Sequence, residues 1–180
     1  MNPLSFLIFI LLLFTSCKPS DARIPVSKNS GTFIDASIER SKELNAKEYA
    51  QIEAVIKKSD HQFLPSAHGF SYTYITKIET DSKTPKFGDL IQYRCTLKTL
   101  DGQVIYKEDS LKTQSYYVDQ QELFSGLREG LKLMKKGESV SFIFPSQKAY
   151  GYYGDFDKIG PNVPLICDVT LLKLTTNKDL

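Results

Sequence analysis

Few side chains in the sequence have the type and spacing that covalent or metal chemistry requires. His61 and His68 stand without cysteine or carboxylate partners, and Asp155 and Asp157 lack the further ligands of a calcium loop. No Ser or Cys belongs to a pattern that places a histidine base beside it, and the GYYG segment lacks the lysine and the helix of a phosphate loop. The sequence therefore predicts no metal ion and no cofactor.

Aromatic and apolar residues are instead concentrated in the segment Leu123–Gly154, which is typical of a helix, a turn, a strand and a loop in close succession. Gly137 ends the helix, and a strand that begins near Val140 stops at Pro145. The loop Ala149-Tyr150-Gly151 then presents an aromatic ring on flexible backbone. Taken singly, these pieces are a core helix, a core strand and a turn. The apolar stripe at helical spacing consists of Leu123, Leu127, Leu131 and Met134.

The order and spacing of these pieces resemble the FKBP-type peptidyl-prolyl isomerases. That family carries a short helix of the form G-(W/L)-x-E-(G/A)-L-x-x-M-x-x-G-E, then a strand, then P-x-x-x-A-Y-G. The resemblance extends roughly over residues 69–174, and it implies an α+β domain in which a half-wrapped antiparallel sheet closes over one short helix. The matching residues here are Gly126, Leu127, Glu129, Gly130, Leu131, Met134, Gly137, Glu138, Pro145, Ala149, Tyr150 and Gly151.

The resemblance implies an enzyme that turns the peptide bond before proline in polypeptide clients. The barrier is about 18–20 kcal/mol, because turning the bond destroys amide resonance. An apolar pocket withdraws the water that stabilises the planar amide and so favours the twisted transition state. This chemistry needs neither a nucleophile nor a cofactor.

Several pocket positions of the family keep an apolar or aromatic character in this chain. The resemblance implies that the backbone N–H of Phe124 and the hydroxyl of Tyr150 hold carbonyl groups of the client. The retained positions are Tyr93, Ile105, Leu123, Phe124, Tyr150 and Ile159.

Three pocket positions depart from the family pattern. The aspartate of the family is Tyr106 here, its tryptophan is Leu127, and its phenylalanine near the start of the last strand is Cys167. A further wall position falls near Gln114 or Tyr116. Because Tyr106 fills more volume than Asp and Leu127 removes a flat stacking surface, we expect weak isomerase activity and poor binding of macrolide inhibitors.

The sequence divides the chain into an extension and a domain. Residues 34–64 predict a helical extension, in which Asn45 is a candidate N-cap with Glu48 three residues later. This extension is either a surface helix on the main domain or a dimerisation arm, so the oligomeric state stays open. Residues 65–180 predict the isomerase-like domain, with five or six antiparallel strands around a helix near residues 123–136.

The N-terminus predicts export and lipidation. Residues 1–16 are uncharged and mostly apolar, which is typical of a signal peptide, and Thr15-Ser16-Cys17 resembles a bacterial lipobox. A plain signal peptide or an uncleaved anchor is the alternative. Residues 17–33 then form a lipidated N-terminus and tether, which places the domain outside the cytoplasm on the inner or the outer membrane.

Composition and cysteines complete the sequence-based expectations. A net charge of +2 gives no indication of nucleic-acid binding. Cys95 and Cys167 fall in predicted strands, where we expect two buried free thiols, with a disulfide as the alternative.

Two functions from different classes follow from the sequence. The first is a membrane-anchored prolyl isomerase that assists the folding of extracytoplasmic proteins. The second is an isomerase-like binding module of low activity in an envelope complex, such as those associated with gliding motility.

Overall fold

The computed structural model describes residues 30–79, 83–107 and 112–179. The predicted signal peptide, Cys17 and most of the predicted tether lie outside these residues. Compact units divide at Arg40, and the sheet lies within the unit Ser41–Leu180. No helix in the described ranges has both the length and the apolar character needed to cross a bilayer.

An antiparallel sheet dominates the described residues. Its order is β1-β2-β6-β7-β3-β4, and β5 also pairs with β3. The strands are β1 Leu64–Pro65, β2 Ser71–Thr76, β3 Leu90–Lys98, β4 Val104–Tyr106, β5 Gln114–Tyr117, β6 Ser139–Phe144 and β7 Leu165–Thr175. The predicted α+β class is confirmed, with seven strands in place of the expected five or six, since the short β1 pairs with β2.

The sheet has one apolar face, which packs around the short helix. This face exists because buried and more exposed residues alternate along the central strands. Odd-numbered residues of β3 and β7 are buried from Ile91 to Leu97 and from Leu165 to Leu171, while their neighbours are half-buried or exposed. This period of two is what a sheet with one covered face requires. The outer edge of β3 is shared, because β5 pairs with its first residues and β4 with its last.

Helix α1 covers Ser30–Lys58, which is longer at its start than the predicted helix. Asn45 lies in its interior, so the predicted N-cap at this residue is wrong. Glu48 does not complete a capping box either, because its carboxylate accepts hydrogen bonds from Ser146 instead. Ile52 of the same helix is buried, so this part of α1 packs on the domain.

Helix α2 covers Ser125–Leu131, shorter than the stretch 123–136 predicted from sequence. After Leu131 the chain tightens, since Leu133 N–H donates to Gly130 and Met134 N–H donates to Leu131, three residues back in each case. Gly137 N–H then pairs with Leu171 of β7. The chain therefore leaves the helix early in order to enter the sheet, and Met134 is buried in a turn.

Two glycines let α2 lie very close to the aromatic rings of β6. A Cβ atom on Gly126 would lie 2.5 Å from Cδ1 of Phe144 and 2.7 Å from the carbonyl oxygen of Lys148. A Cβ atom on Gly130 would lie 2.9 Å from Cε1 of Phe142. All three distances are far below van der Waals contact, so the face of the helix toward β6 has no room for side chains at these positions.

Candidate functional site

A cavity of about 170 Å³ lies between the outer strands of the sheet, the start of α2 and the loop after β6. An apolar cavity of about 150 Å³ is large enough to bind benzene, so this volume is on the scale of one small ring. Its lining residues are Tyr93, Cys95, Leu97, Tyr106, Gln114, Leu123, Phe124, Leu127, Tyr150 and Asp155.

The floor and one wall of the cavity follow from the regular elements. The alternation of β3 brings Tyr93, Cys95 and Leu97 to one face of the sheet, and Leu127 of α2 faces them. The hydroxyl of Tyr93 donates to Oε1 of Gln114 at 2.7 Å, which fixes this ring against β5. Burial raises the pKa of Tyr93 far above its ordinary value, so this phenol stays neutral.

Tyr150 and Phe124 form the aromatic side of the cavity. Their ring centroids are 5.1 Å apart, and Phe124 in turn packs edge-on against Phe144 at 5.4 Å. Burial, together with the negative charge of Asp155, raises the pKa of Tyr150 to about 12. Within the described residues the Tyr150 hydroxyl has no hydrogen-bond partner. The phenol therefore remains protonated near neutral pH, as a donor at the wall of an apolar cavity.

Helix α1 holds the turn that precedes Tyr150. The buried carboxylate of Glu48 accepts hydrogen bonds from the backbone N–H of Ser146 and, at 2.7 Å, from its hydroxyl. The carbonyl oxygen of Ser146 accepts the N–H of Ala149 at 3.0 Å and that of Gly151 at 2.8 Å. Tyr150 thus lies between two residues whose backbone is tied to a turn that α1 fixes.

Tyr106 reaches across the mouth of the cavity to the loop after Tyr150. Its hydroxyl lies 2.6 Å from Oδ2 of Asp155 and 3.0 Å from Oδ2 of Asp157, and Nζ of Lys158 lies 5.0 Å from its ring centroid. Its hydrogen bond to Asp155 raises the pKa of Tyr106.

Asp155 is the residue around which this loop is built. Its Oδ1 accepts the N–H of Asp157 at 2.9 Å and that of Ile159 at 2.8 Å. Burial opposes its ionisation, but the hydrogen bond from Tyr106 and those from the backbone outweigh burial and hold the pKa of Asp155 below its usual value. A carboxylate therefore lines the cavity although the position expected to carry one holds Tyr106.

The structure brings six of the nine residues singled out from sequence to this cavity: Tyr93, Tyr106, Leu123, Phe124, Leu127 and Tyr150. The other three are not lining residues. Ile105 is half-buried at the edge of the core, Ile159 is buried, and Cys167 is fully buried in β7. The structure therefore does not place these three side chains in the cavity wall, where the sequence analysis expected them.

Sequence reasoning missed Cys95, Leu97 and Asp155 as lining residues. The alternation of β3 already placed the first two on the face of Tyr93, so that signal was available. Asp155 had no such signal, because it lies in an irregular loop. Of the two candidates for the uncertain wall position, Gln114 lines the cavity, while Tyr116 is buried in the core.

Both cysteines of the domain are free and buried, as predicted from the sequence. They lie in the paired strands β3 and β7, where Cys95 is opposite Val169 and Cys167 is opposite Leu97. Burial, followed by a hydrogen bond with Cys95, raises the pKa of the Cys167 thiol. Both thiols are therefore expected to react slowly in the folded protein.

A larger groove of about 600 Å³ lies elsewhere, between α1, the β3–β4 turn and Pro164. Size alone would favour it, but it is open to solvent. Asp101, whose pKa is lowered by a hydrogen bond from Thr99, is an exposed residue of the turn and is not enclosed by the groove. The smaller cavity has both an apolar wall and a buried phenol, so it is the stronger candidate site. In the described part of the chain, no three His, Cys, Asp or Glu side chains are grouped to hold a metal ion.

A family model described as FKBP-type peptidyl-prolyl cis-trans isomerase matches residues 81–172. A probable FKBP-type peptidyl-prolyl cis-trans isomerase FkpA of Neisseria meningitidis is 35% identical over 111 residues, which are 61% of this chain and 39% of the relative. A probable FKBP-type isomerase of Haemophilus influenzae is 33% identical over 107 residues, which are 57% of this chain and 43% of the relative. The matches thus span less than half the length of these curated relatives.

Solved structures support the fold. A peptidyl-prolyl cis-trans isomerase from Pseudomonas syringae pv. tomato is similar with a TM-score of 0.62 and 22% identity, covering 76% of this chain and 96% of that one. FkpA from Escherichia coli is similar with a TM-score of 0.61 and 23% identity, covering 98% of this chain and 84% of that one. At these identities the likeness concerns the arrangement of strands and helix.

Proposed function

Because the chain belongs to the FKBP-type peptidyl-prolyl cis-trans isomerase family, we propose that it catalyses cis–trans isomerisation of X-Pro bonds in polypeptide clients. The observation that carries this proposal is the small apolar cavity with the Tyr150 phenol at its wall. The proline ring enters the cavity between Leu127, Phe124 and Tyr150. Proline-containing segments of unfolded or partly folded proteins are the substrates.

The cavity favours the twisted amide in two ways. Its apolar walls remove water from the X-Pro carbonyl, and water stabilises the planar, charge-separated amide more than the twisted one. The phenol of Tyr150 and the backbone N–H of Phe124 hold carbonyl oxygens of the client, so that the chain on one side of the bond is fixed while the other side turns. No step needs a proton transfer or a covalent intermediate.

The hydroxyl of Tyr150 is the donor that a single substitution removes most cleanly. A neutral hydrogen bond contributes about 0.5–1.5 kcal/mol, so Tyr150→Phe should lower kcat/KM by roughly twofold to tenfold. The measurement is a proline-limited refolding assay together with a short X-Pro peptide.

Tyr152→Phe is the matched control, because it removes an exposed phenol from the same loop outside the cavity lining. It should keep the wild-type rate. An unchanged rate in Tyr150→Phe would contradict the role given to this hydroxyl.

We also propose that the protein acts outside the cytoplasm, anchored through lipid on Cys17. The support is the apolar segment that ends at Thr15-Ser16-Cys17. Cys17→Ala should abolish incorporation of labelled palmitate and leave an unprocessed precursor. Palmitate labelling that persists in this variant would overturn the lipoprotein assignment.

A second candidate is a binding module with little turnover in an envelope complex, of the type associated with gliding motility. The observation that favours it is the mouth of the cavity, where Tyr106 is hydrogen-bonded to Asp155 and Asp157 and restricts entry. A turnover number close to the uncatalysed rate, with retained binding of proline peptides, would favour this candidate over the enzyme.

A further inference from the structure

The carboxylate of Glu48 binds a single residue of the sheet domain with both of its oxygens. Oε1 accepts the backbone N–H of Ser146, and Oε2 accepts the Ser146 hydroxyl at 2.7 Å. Glu48 is 8% exposed and Ser146 is 2% exposed, so water has little access to these bonds. Both residues belong to the unit Ser41–Leu180. The pair thus fixes the start of the turn Ser146–Lys148 in two directions at once.

A second side chain of α1 reaches the same turn. Nε2 of Gln147 donates a hydrogen bond to Oδ1 of Asn45. Asn45 and Glu48 are three residues apart in the helix, so they lie on the same face of α1. Two consecutive residues of the turn, Ser146 and Gln147, are therefore held by neighbouring positions of the helix.

Attachment of α1 to the domain does not by itself explain a buried carboxylate. Removing a carboxylate from water is costly, and a well-packed apolar side chain joins two elements at least as well. Ile52, one turn further along α1, is such a side chain and is 5% exposed. Glu48 supplies what an apolar residue lacks, because its oxygens orient particular donors.

The turn passes this orientation on to Tyr150. The carbonyl oxygen of Ser146 accepts the N–H of Ala149 at 3.0 Å and the N–H of Gly151 at 2.8 Å. These two residues are the neighbours of Tyr150 on either side. A shift of Ser146 therefore moves the backbone before and after Tyr150, and with it the direction of the phenol at the cavity wall.

The other end of the turn lies against the start of α2. The Ser125 hydroxyl lies 3.5 Å from the carbonyl oxygen of Lys148, to which it donates, and Ser125 directly follows Phe124. The rings of Phe124 and Tyr150 are also in contact, with centroids 5.1 Å apart. The turn is therefore a common support for the two donors assigned to client carbonyls, the Tyr150 hydroxyl and the Phe124 N–H.

We propose that Glu48 is a positioning residue of the isomerase site, which sets the direction of the Tyr150 hydroxyl through Ser146. The proposal rests on the isomerase function given above, and it adds a residue that lies outside the matched region 81–172. Glu48 does not line the cavity, so its effect on the reaction passes through the turn. This part of α1 is then a working part of the isomerase site.

The test combines Glu48→Ala with Tyr150→Phe in a double-mutant cycle on the full-length protein. Glu48→Ala should lower kcat/KM for the short X-Pro peptide by about fivefold, within the range expected for loss of the Tyr150 hydroxyl. Because Glu48 acts through that hydroxyl, the same change should lower kcat/KM by less than about twofold in the Tyr150→Phe background. Two independent defects would multiply instead.

Glu48→Gln and Glu53→Ala are the matched controls. A glutamine amide can accept the Ser146 N–H through its oxygen and donate to the Ser146 hydroxyl through its nitrogen, so Glu48→Gln should stay within about twofold of wild type. Glu53 is a glutamate of the same helix whose side chain is 69% exposed and pairs with Lys57. Glu53→Ala should therefore match wild type.

Ser146→Ala keeps the proposal testable if Glu48→Ala does not fold. It removes the hydroxyl and leaves the backbone N–H bond to Glu48 in place. We expect a loss in kcat/KM of about twofold to threefold, which should likewise disappear in the Tyr150→Phe background.

Amide hydrogen exchange gives a readout that does not depend on turnover. In Glu48→Ala the N–H groups of Ala149 and Gly151 should exchange roughly tenfold faster or more than in wild type. The N–H of Leu171, which donates to the carbonyl oxygen of Glu138 in the sheet, should change by less than about twofold. This difference separates a local release of the turn from a general loss of stability.

The outcomes separate this proposal from the isomerase function. Losses that multiply across the cycle, or wild-type activity of Glu48→Ala, would overturn the role of Glu48 and leave the enzyme intact. A wild type without turnover, in which Glu48→Ala still speeds exchange only at Ala149 and Gly151, would overturn the enzyme and keep the positioning of Tyr150. Exchange that accelerates equally in the turn and at Leu171 would show a general structural role and overturn the proposal.

Discussion

Gly154→Ala should lower both the stability and the activity of the protein, and by more than a glycine-to-alanine substitution at an open surface turn. Its φ is +70°, and the new Cβ atom would lie 2.1 Å from the carbonyl oxygen of Ile159. That oxygen is backbone and accepts the N–H of Asp155, so the loop must open for the methyl group to fit. We expect about 3 kcal/mol of destabilisation, combining the left-handed conformation with overpacking. Because Asp155 lines the cavity, kcat/KM should fall by roughly tenfold or more.

Gly102→Ala separates the two causes. Gly102 has φ +87°, yet no atom of the residues that the structure describes lies within 4 Å of the position of its Cβ atom. It should therefore show only the conformational cost of about 1–2 kcal/mol and a wild-type rate. Denaturant unfolding and the peptide assay measure both variants. Equal destabilisation of the two, or full activity of Gly154→Ala, would contradict the packing described for the loop.

Tyr106→Asp should lower activity, even though it restores the residue that the family pattern places there. The structure puts the Tyr106 hydroxyl next to the carboxylates of Asp155 and Asp157. An aspartate at this position gives up the hydrogen bonds and adds a third negative charge to the mouth of the cavity. The loop then loses the bond that ties it to β4, and we expect kcat/KM to fall roughly fivefold to tenfold.

Tyr106→Asn is the matched control, since it has the shape of aspartate without the charge. It should lose less activity than Tyr106→Asp, and the difference should shrink as salt screens the repulsion between carboxylates. Rates are measured with the same short X-Pro peptide that is used for Tyr150→Phe. A rise in activity for Tyr106→Asp would show that the family arrangement of the mouth survives in this chain despite Asp155.

The regular part of the fold was predictable because it depends on side-chain periodicity. The alternation in β3 and β7 predicts which residues face the core, and the structure buries those residues. The end of α2 was less predictable. The apolar stripe continues to Met134, but after Leu131 the backbone hydrogen bonds span three residues instead of four. The chain then turns into β6, which pairs with β7.

Long-range polar contacts were not predictable from local sequence. The spacing of Asn45 and Glu48 favoured a helix start, because that pattern satisfies N–H groups at an N-terminus. The helix begins earlier, and Glu48 instead binds Ser146, 98 residues away. Only the packing of α1 on the sheet brings these two residues together, and no periodicity in the sequence contains that information.

Regular elements and the family motif, which includes Tyr150, predicted most of the candidate site, whereas Asp155 in the irregular loop was missed. Tyr93 and Leu127 are placed by a strand and a helix, and both line the cavity. Asp155 is placed by hydrogen bonds from Tyr106, Asp157 and Ile159, which depend on the final course of the loop. The substitution of the family aspartate by Tyr106 was therefore visible in the sequence, but the carboxylate that faces Tyr106 was not.

The close contact of α2 with β6 restricts how this sequence can change during evolution. Gly126 faces Phe144 and Gly130 faces Phe142, so each glycine occupies space that its opposing ring has already filled. A mutation that enlarges either glycine is tolerated only after a mutation that shrinks the ring, and a smaller ring alone leaves a void. We expect each pair to covary among descendants of this sequence, with the glycine retained for as long as the phenylalanine is.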